Sequence, residues 1–423
     1  VTVSPFDIII SGKMIWEVDD VTGVKDVSVQ LNGPVSATFV TDVTGSYSFT
    51  VTQPGNYTLS GSKQINRLNG VTSADVTRIQ QHVVGNFPLT DPYKIIAADI
   101  NHNNGVSAQD VSILQQAILN NPAALAIFSV FWRFPNAAIT LNNPPWPQLI
   151  AGAEQISLTG VNGNQPNQHF AGIKVGDVIV SNANPANKPA TSSPLIWRVQ
   201  DEALISDEEI TVTFRAMHFE GLSSYQFGLG FDPALLQFKS VQTAPALGLQ
   251  AGNFGLTDAG SGEIRTLWAQ PEAFSLVSGD SVFSLTFKVM QGGGKLSDAL
   301  WLDAGILAAE AYSDGFQQQE LMLEFETVAT STGQPSDVNS LQLLQNRPNP
   351  FSGETSIGFI LPAAAETRLR IFETNGRLLR ESVFDCVAGY HEAQFRFEDL
   401  PRGILYYELT TPFGVLVKKM MGE

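Results

Sequence analysis

Two stretches of this chain are copies of one pattern, and that repeat constrains the fold more than any other feature. Asn69-Gly-Val-Thr-Ser-Ala-Asp-Val-Thr-Arg-Ile-Gln-Gln-His-Val83 aligns with Asn104-Gly-Val-Ser-Ala-Gln-Asp-Val-Ser-Ile-Leu-Gln-Gln-Ala-Ile118, with Gly70 and Gly105 equivalent. After the glycine of each copy, apolar residues recur at i, i+3 and i+7: Val76, Ile79, Val83 and Val111, Leu114, Ile118. That spacing places them on one face of a helix. A solenoid needs about three repeats, so two copies predict a pair of short amphipathic helices packed on each other.

The segment before the second helix carries the clearest chemistry. Asp99 to Asp110 places side-chain oxygens at loop positions 1, 3, 5, 9 and 12 (Asp99, Asn101, Asn103, Ser107, Asp110), with the Gly105 carbonyl at position 7. Alternate residues of a tight loop converge on one hard cation, and calcium accepts six to eight oxygens at about 2.3–2.6 Å. The spacing follows EF-hand logic, except that the last ligand is Asp rather than Glu and glycine stands at position 7 rather than 6. Two carboxylates match one calcium ion, and the expected dissociation constant is on the order of 10⁻⁴ to 10⁻⁶ M. In the first copy the equivalent positions are Gln64, Asn66, Leu68, Gly70, Thr72 and Asp75. An amide and an aliphatic side chain replace Asp99 and Asn103, so this loop either binds calcium more weakly or keeps its shape without metal. The competing reading of the second loop is an Asx-rich turn that caps a helix through Ser107 or Asp110.

Two loop-plus-helix units ending in Asp resemble a type I dockerin. The resemblance implies that loop positions 10 and 11, here Ser73, Ala74, Ala108 and Gln109, contact a cohesin partner. These are not the usual Ser-Thr pairs. Residues 205–327 are in turn similar to a cohesin: Ser224-Tyr-Gln-Phe-Gly-Leu-Gly-Phe-Asp-Pro-Ala-Leu-Leu-Gln-Phe238 fits a strand, Asp-Pro and a second strand, and Ile264-Arg-Thr-Leu-Trp-Ala269 fits a later one. Both partners' folds in one chain imply an intramolecular or head-to-tail contact.

The remaining sequence is organised by short alternating runs and turns. Residues 1–62 read as an antiparallel β-sandwich. Gly45, Tyr47, Phe49, Gly55 and Tyr57 resemble the recurrent pattern of prealbumin-like or Cna-B-like surface modules. Residues 63–180 read as the helical pair followed by an irregular extension rich in aromatic residues and proline, expected to pack over the helices. Residues 181–204 and 328–340 read as linkers, and 205–327 as a sandwich or jelly roll of seven to nine strands. The final segment, 341–423, reads as a small Ig-like sandwich. Gln345-Asn-Arg-Pro-Asn-Pro-Phe351, Ile357-Gly-Phe-Ile-Leu-Pro362, Ile371-Phe-Glu-Thr-Asn-Gly-Arg377 and Gly403-Ile-Leu-Tyr-Tyr-Glu-Leu409 resemble the C-terminal sorting domain of the Bacteroidota type IX secretion system. That resemblance implies passage across the outer membrane and an extracellular or cell-surface destination.

The fold class expected is therefore mainly β and multi-domain, with one small helical calcium-binding segment. With 24 basic against 41 acidic residues the net charge is −17, which repels nucleic acid and anionic membranes and tolerates divalent cations. No run approaches the roughly 20 apolar residues that span a bilayer. Val1 opens the chain without a charged and apolar leader and reads as a processed or truncated end of a larger chain. One cysteine, Cys386, excludes an internal disulfide and a multi-cysteine metal site.

No catalytic site is expected. His82, His102, His169, His218 and His391 are scattered, and Gly292-Gly-Gly-Lys295 lacks the remainder of a phosphate loop. Asp207, Glu208, Glu209 and Asp303 read as solvated strand ends rather than a glycosidase pair. Trp132, Trp146, Trp197, Trp268 and Trp301 read as core before sugar platforms. The functional expectation is a secreted structural or adhesive surface protein stabilised by calcium. Its partners would be a second copy or a cohesin-like domain, the secretion machinery, and surface polysaccharide. The alternatives are a fibre or sheath subunit, and the non-catalytic tail of a carbohydrate-active enzyme.

Overall fold

The alternating runs at the start of the chain form β1 (Ile8–Trp16), β2 (Ser28–Asn32), β3 (Ala37–Val40), β4 (Ser46–Val51) and β5 (Gly55–Ser62). The structure is a computed structural model and describes residues 7–19, 21–179, 193–326, 341–346, 349, 351, 353–373, 377–396 and 403–422. Its contacts divide into two compact units, 1–328 and 329–423.

The first sandwich does not end at residue 62. Three later strands complete it: β6 (Trp132–Arg133), β7 (Ile156–Val161) and β8 (Phe170–Lys174). One sheet runs β4-β1-β8-β6 and the other β3-β2-β5-β7. β8 pairs with β1 in parallel, Met14 opposite Phe170, and β7 pairs with β5, Leu59 opposite Ile156. Ile10, Met14, Leu31, Leu59, Phe134 and Phe170 meet between the sheets. The aromatic extension expected to cover the helices thus also supplies strands to the N-terminal sandwich. Five strands leave apolar faces and the free edges of β1 and β5 open; β8 pairs with β1 and β7 with β5, and Phe134, Ile156, Val161 and Phe170 add to the core.

The helical pair is inserted into this sandwich between β5 and β6. The repeated helices are α1 (Ser73–Val84) and α3 (Ala108–Ile118), with α2 (Pro92–Ala98) between them and the short α4 (Pro122–Ile127) after them; a further short helix, α5 (Trp146–Ile150), lies between β6 and β7. Thr72 and Ser107 are the N-caps of α1 and α3, each completing a capping box with Asp75 or Asp110. The predicted faces pack together: Val76, Ile79, Val111, Leu114 and Ile118 lie in one core. Val83 departs from the expected pattern and stays exposed in the last turn of α1.

The second sandwich begins at β9 (Leu195–Gln200), inside the range expected to be linker. Leu195, Ile196, Trp197 and Val199 are all buried. The Pro- and Ser-rich residues before them conceal a short apolar run, Leu195-Ile196-Trp197, followed by Val199 after Arg198, and burial of those side chains outweighs their neighbours' turn propensity. Residues 181–192 of this linker and 328–340 of the next lie outside the described residues. The other strands are β10 (Glu209–Met217), β11 (Leu222–Phe231), β12 (Leu236–Thr243), β13 (Phe254–Gly255), β14 (Glu263–Phe274), β15 (Ser281–Val289), β16 (Leu300–Leu302), β17 (Glu310–Ser313) and β18 (Gln318–Glu326). Their order is β12-β15-β10-β9-β18-β17-β11-β14-β13, with β16 beside β11. Between β15 and β16, Gly292 to Lys295 leads into a helical turn, α6 (Leu296–Ala299), rather than a simple hairpin. The core is aromatic: Trp197, Phe214, Tyr225, Phe227, Trp268 and Phe283 pack within it, and the Phe214 and Phe283 rings stack at 4.4 Å.

The second unit is a smaller sandwich. One sheet runs β19 (Gln342–Leu343), β20 (Glu354–Leu361), β23 (Gly389–Arg396); the other runs β22 (Leu378–Cys386), β21 (Ala365–Glu373), β24 (Gly403–Thr411), β25 (Gly414–Gly422). Tyr407 is buried in its core and donates its hydroxyl proton to the Leu344 carbonyl at 2.7 Å. Arg347, Pro348, Pro350 and the turn at 374–376, which carry part of the sorting-domain resemblance, lie outside the described residues.

Candidate metal loops and docking interface

Asp99 and Asp110 stand at the two ends of the second loop, both fully buried. Asp99 caps the C-terminus of α2, and Asp110 lies in the first turn of α3. The loop turns through left-handed residues at positions 4 and 6, His102 (φ 55°) and Asn104 (φ 65°). Asn tolerates that region, so the chain makes the bend at position 6 without the usual glycine. Asp99 accepts backbone hydrogen bonds from Asn103 and Asn104, each 3.1 Å. Asp110 accepts from Ile100 (3.0 Å), Asn101 (3.3 Å) and Ser107 (2.9 Å).

No lysine or arginine forms an ion pair with either carboxylate among the described residues. The nearby Arg133 is held by Glu154 at 2.6 Å. Burial pushes the Asp99 carboxyl up to about 6, the charge of Asp110 pushes it the same way, and the bonds from Asn104 and Asn103 oppose both. Two buried carboxylates beside the amide oxygens of Asn101 and Asn103 and the hydroxyl of Ser107 form a hard-oxygen donor set suited to calcium. When bound, the ion would supply the positive charge that Asp99 and Asp110 lack. Among the described residues no group of three His, Cys, Asp or Glu side chains is placed to hold a metal ion.

The first loop follows another path. Its left-handed residues are Asn66 (φ 55°) and Gly70 (φ 80°), at positions 3 and 7. Gln64, at position 1, accepts from the Phe131 amide at 3.3 Å. Asp75 is buried and accepts from the Thr72 amide (2.8 Å), the Thr72 hydroxyl (3.0 Å), the Val178 amide (2.7 Å) and the Ile179 amide (2.9 Å). Burial pushes its carboxyl up to about 6 against those bonds. Leu68, at position 5, has no oxygen in its side chain.

The helical pair lies against the outer face of the second sandwich. Tyr225, Phe227 and Leu229 of β11 point into the aromatic core. Ser224, Gln226 and Gly228 alternate with them, opposite Ala269, Leu267 and Arg265 of β14. Leu267 and Ala269 belong to the same hydrophobic core as Val76, Ile79 and Leu114. The Ser73 amide donates to the Gln226 side-chain oxygen at 2.7 Å, a buried bond. Thr77 donates to the Ser223 carbonyl (3.3 Å), Gln81 to that of Pro271 (3.1 Å), and Gln116 of α3 to that of Gly252 (2.7 Å). Asn120 donates to Asp258, which is paired with Arg265. Gly255 allows the closest approach, since a Cβ there would lie 2.1 Å from the Leu119 carbonyl oxygen.

Of the four expected partner-binding residues, Ser73 and Ala74 are buried in this region, and Ala108 and Gln109 are exposed. Trp197 and Trp268 are core, whereas Trp301 is half-exposed. Asp207 pairs with Lys288 at 3.3 Å, and Asp303 accepts from the Gly305 amide at 2.8 Å. No helix among the described residues is long and apolar enough to cross a membrane.

No protein-family model and no curated protein sequence matches the chain. Over about a third of its length it is similar to solved cohesin structures. A chain of a type I cohesin–dockerin complex of Clostridium thermocellum is 11% identical, with 32% of this chain and 100% of that chain covered and a TM-score of 0.27. The seventh type I cohesin of scaffoldin ScaB from Pseudobacteroides cellulosolvens is 16% identical, with 34% and 97% covered and a TM-score of 0.25. A non-cellulosomal cohesin from the archaeon Archaeoglobus fulgidus is 14% identical, with 33% and 94% covered and a TM-score of 0.23. With TM-scores below 0.5, these likenesses settle neither function nor partner. The chain itself is a mainly β, multi-sandwich protein with an inserted helical module.

Proposed function

We propose that this is a non-catalytic extracellular protein of structural or adhesive role, in which a dockerin-like helical pair docks in cis on a cohesin-like sandwich. The observation that carries the reading is the buried bond from the Ser73 amide to Gln226, set in a hydrophobic core that continues from α1 and α3 into β14. A buried hydrogen bond fixes register, and the surrounding apolar surface supplies the association energy. Head-to-tail assembly into a fibre or sheath through the same surfaces would require α1 to leave its own sheet, so the cis contact favours a closed unit. Ala108 and Gln109 remain outward for a protein partner, with surface polysaccharide as the other candidate.

One calcium ion at Asp99, Asn101, Asn103, Gly105, Ser107 and Asp110 braces the module on this reading. Its support is the pair of buried carboxylates, which form no ion pair with lysine or arginine among the described residues. Export by the type IX machinery and a cell-surface location rest on the sorting-domain resemblance of residues 341–423.

Thermal unfolding of the full chain with calcium and with chelator tests the metal reading. At calcium about 100-fold above the dissociation constant, stabilisation of about 2.7 kcal/mol is expected. Asp110→Asn should abolish it, and a wild-type midpoint indifferent to calcium sinks the idea. Hydrogen exchange tests the docking: the Ser73 amide should be protected in a monomer. Rapid exchange there, or assembly that grows with concentration, would reject cis docking.

A further inference from the structure

The first loop has a buried polar centre of its own. Lys174, the last residue of β8, is buried, and its ammonium donates to the Arg67 carbonyl, at loop position 4, and to the Val175 carbonyl at 3.2 Å. Its Nζ lies 5.7 Å from the centre of the Phe128 ring. The residues that follow continue over the loop: the Gly176 amide bonds to Ala97, and the Val178 and Ile179 amides bond to Asp75. Gly176 has φ +89°, and a Cβ there would lie 3.1 Å from both Val71 and Leu114, so the segment passes close between the two repeats. Buried Asp177 and Asp75 are the anions whose charges favour the ammonium. Burial pulls that ammonium down to about 8, which leaves it charged at neutral pH.

We propose that Lys174 is the resident cation of the first loop, so that segment Lys174–Ile179 fills from within the place a second calcium ion would take. The donors confirm how little is left for a metal. Gln64 is turned to Phe131 and position 5 is Leu68, so two of the oxygen donors of the second loop have no free counterpart here. A buried carboxylate needs a compensating charge or several donors, and here the chain provides both. Since α1 is the helix whose first turn meets Gln226, its anchorage is independent of calcium, and only the second loop responds to the metal. The inference rests on the loops being a repeated pair, not on the second loop's being occupied.

The test is calcium titration and thermal unfolding of the full chain and its variants. Asp110→Asn should bind no calcium at millimolar concentration. Lys174→Met should lower the unfolding midpoint in chelator by about 5 °C or more, and Lys174→Arg by less. Calcium retained by Asp110→Asn, or a Lys174→Met midpoint equal to wild type in chelator, overturns the proposal. The two readings fail separately, because a wild-type chain that binds no calcium removes the second-loop site and leaves the Lys174→Met outcome to decide the first.

Discussion

The two loops began as one sequence pattern and differ in what balances their charge. Each ends in a buried aspartate that closes a capping box on its helix, Asp75 with Thr72 and Asp110 with Ser107. Each aspartate also accepts two further backbone amides, Asp75 from Val178 and Ile179 and Asp110 from Ile100 and Asn101; beside Asp75 the chain adds a lysine, and beside Asp110 a second carboxylate, Asp99. A repeat can therefore keep its helices and caps while its loops diverge. The helical face is fixed by local periodicity, whereas the loop interior depends on whatever segment is packed over it.

The largest expected effect comes from Asp75→Ala. It leaves the Val178 and Ile179 amides without their acceptor and the Lys174 ammonium with Asp177 as its remaining counter-charge, so a loss of about 3–5 kcal/mol is expected by chemical denaturation, with or without calcium. A loss that calcium repairs would erase the distinction between the loops.

The next contrast is in pH. Asp75 and Asp99 are both pushed up to about 6 in the folded chain from an ordinary value of 3.8. The unfolded chain therefore ionises first. Their contribution to stability is complete below about pH 4, declines as pH rises through about 6, and is flat above that. The decline is on the order of 3 kcal/mol per group in chelator, and calcium should suppress the Asp99 share only. Denaturant midpoints measured from pH 4 to 7 in both conditions give the answer, and identical slopes would break the comparison.

The smallest effects separate the positions expected to bind partners. Gln226→Ala strands the buried Ser73 amide and should cost about 1–3 kcal/mol. Gln109→Ala, on the exposed equivalent turn, should stay within about 0.5 kcal/mol. Equal costs would mean that the second turn is also engaged in the isolated chain.

Much of the site is visible in the residues. The loop spacing from Asp99 to Asp110 marks the acidic pocket, and the helical faces are carried by Val76, Ile79, Val111, Leu114 and Ile118. The docking face on β11 is harder to read. Ser224, Gln226 and Gly228 alternate with Tyr225, Phe227 and Leu229 as a solvent-facing edge would, yet the whole strand is buried. Period-2 alternation separates two faces but does not say whether the polar one meets water or another polar surface. Lys174 is harder still. It lies in Phe170–Lys174, far along the chain from Asp75, and reads locally as the end of a strand.

By itself, then, the sequence determines what depends on near neighbours: two capped amphipathic helices, a loop rich in oxygen donors, and alternating strands that pair into sandwiches. Tertiary structure alone decides that β6, β7 and β8 return to the first sandwich, that α1 lies on β11 and β14, and that the Lys174 ammonium bonds to the Arg67 carbonyl of the first loop. Those outcomes join residues about a hundred or more positions apart. Their free energy comes from burying surfaces and charges together, and no local period records which partner each surface will meet.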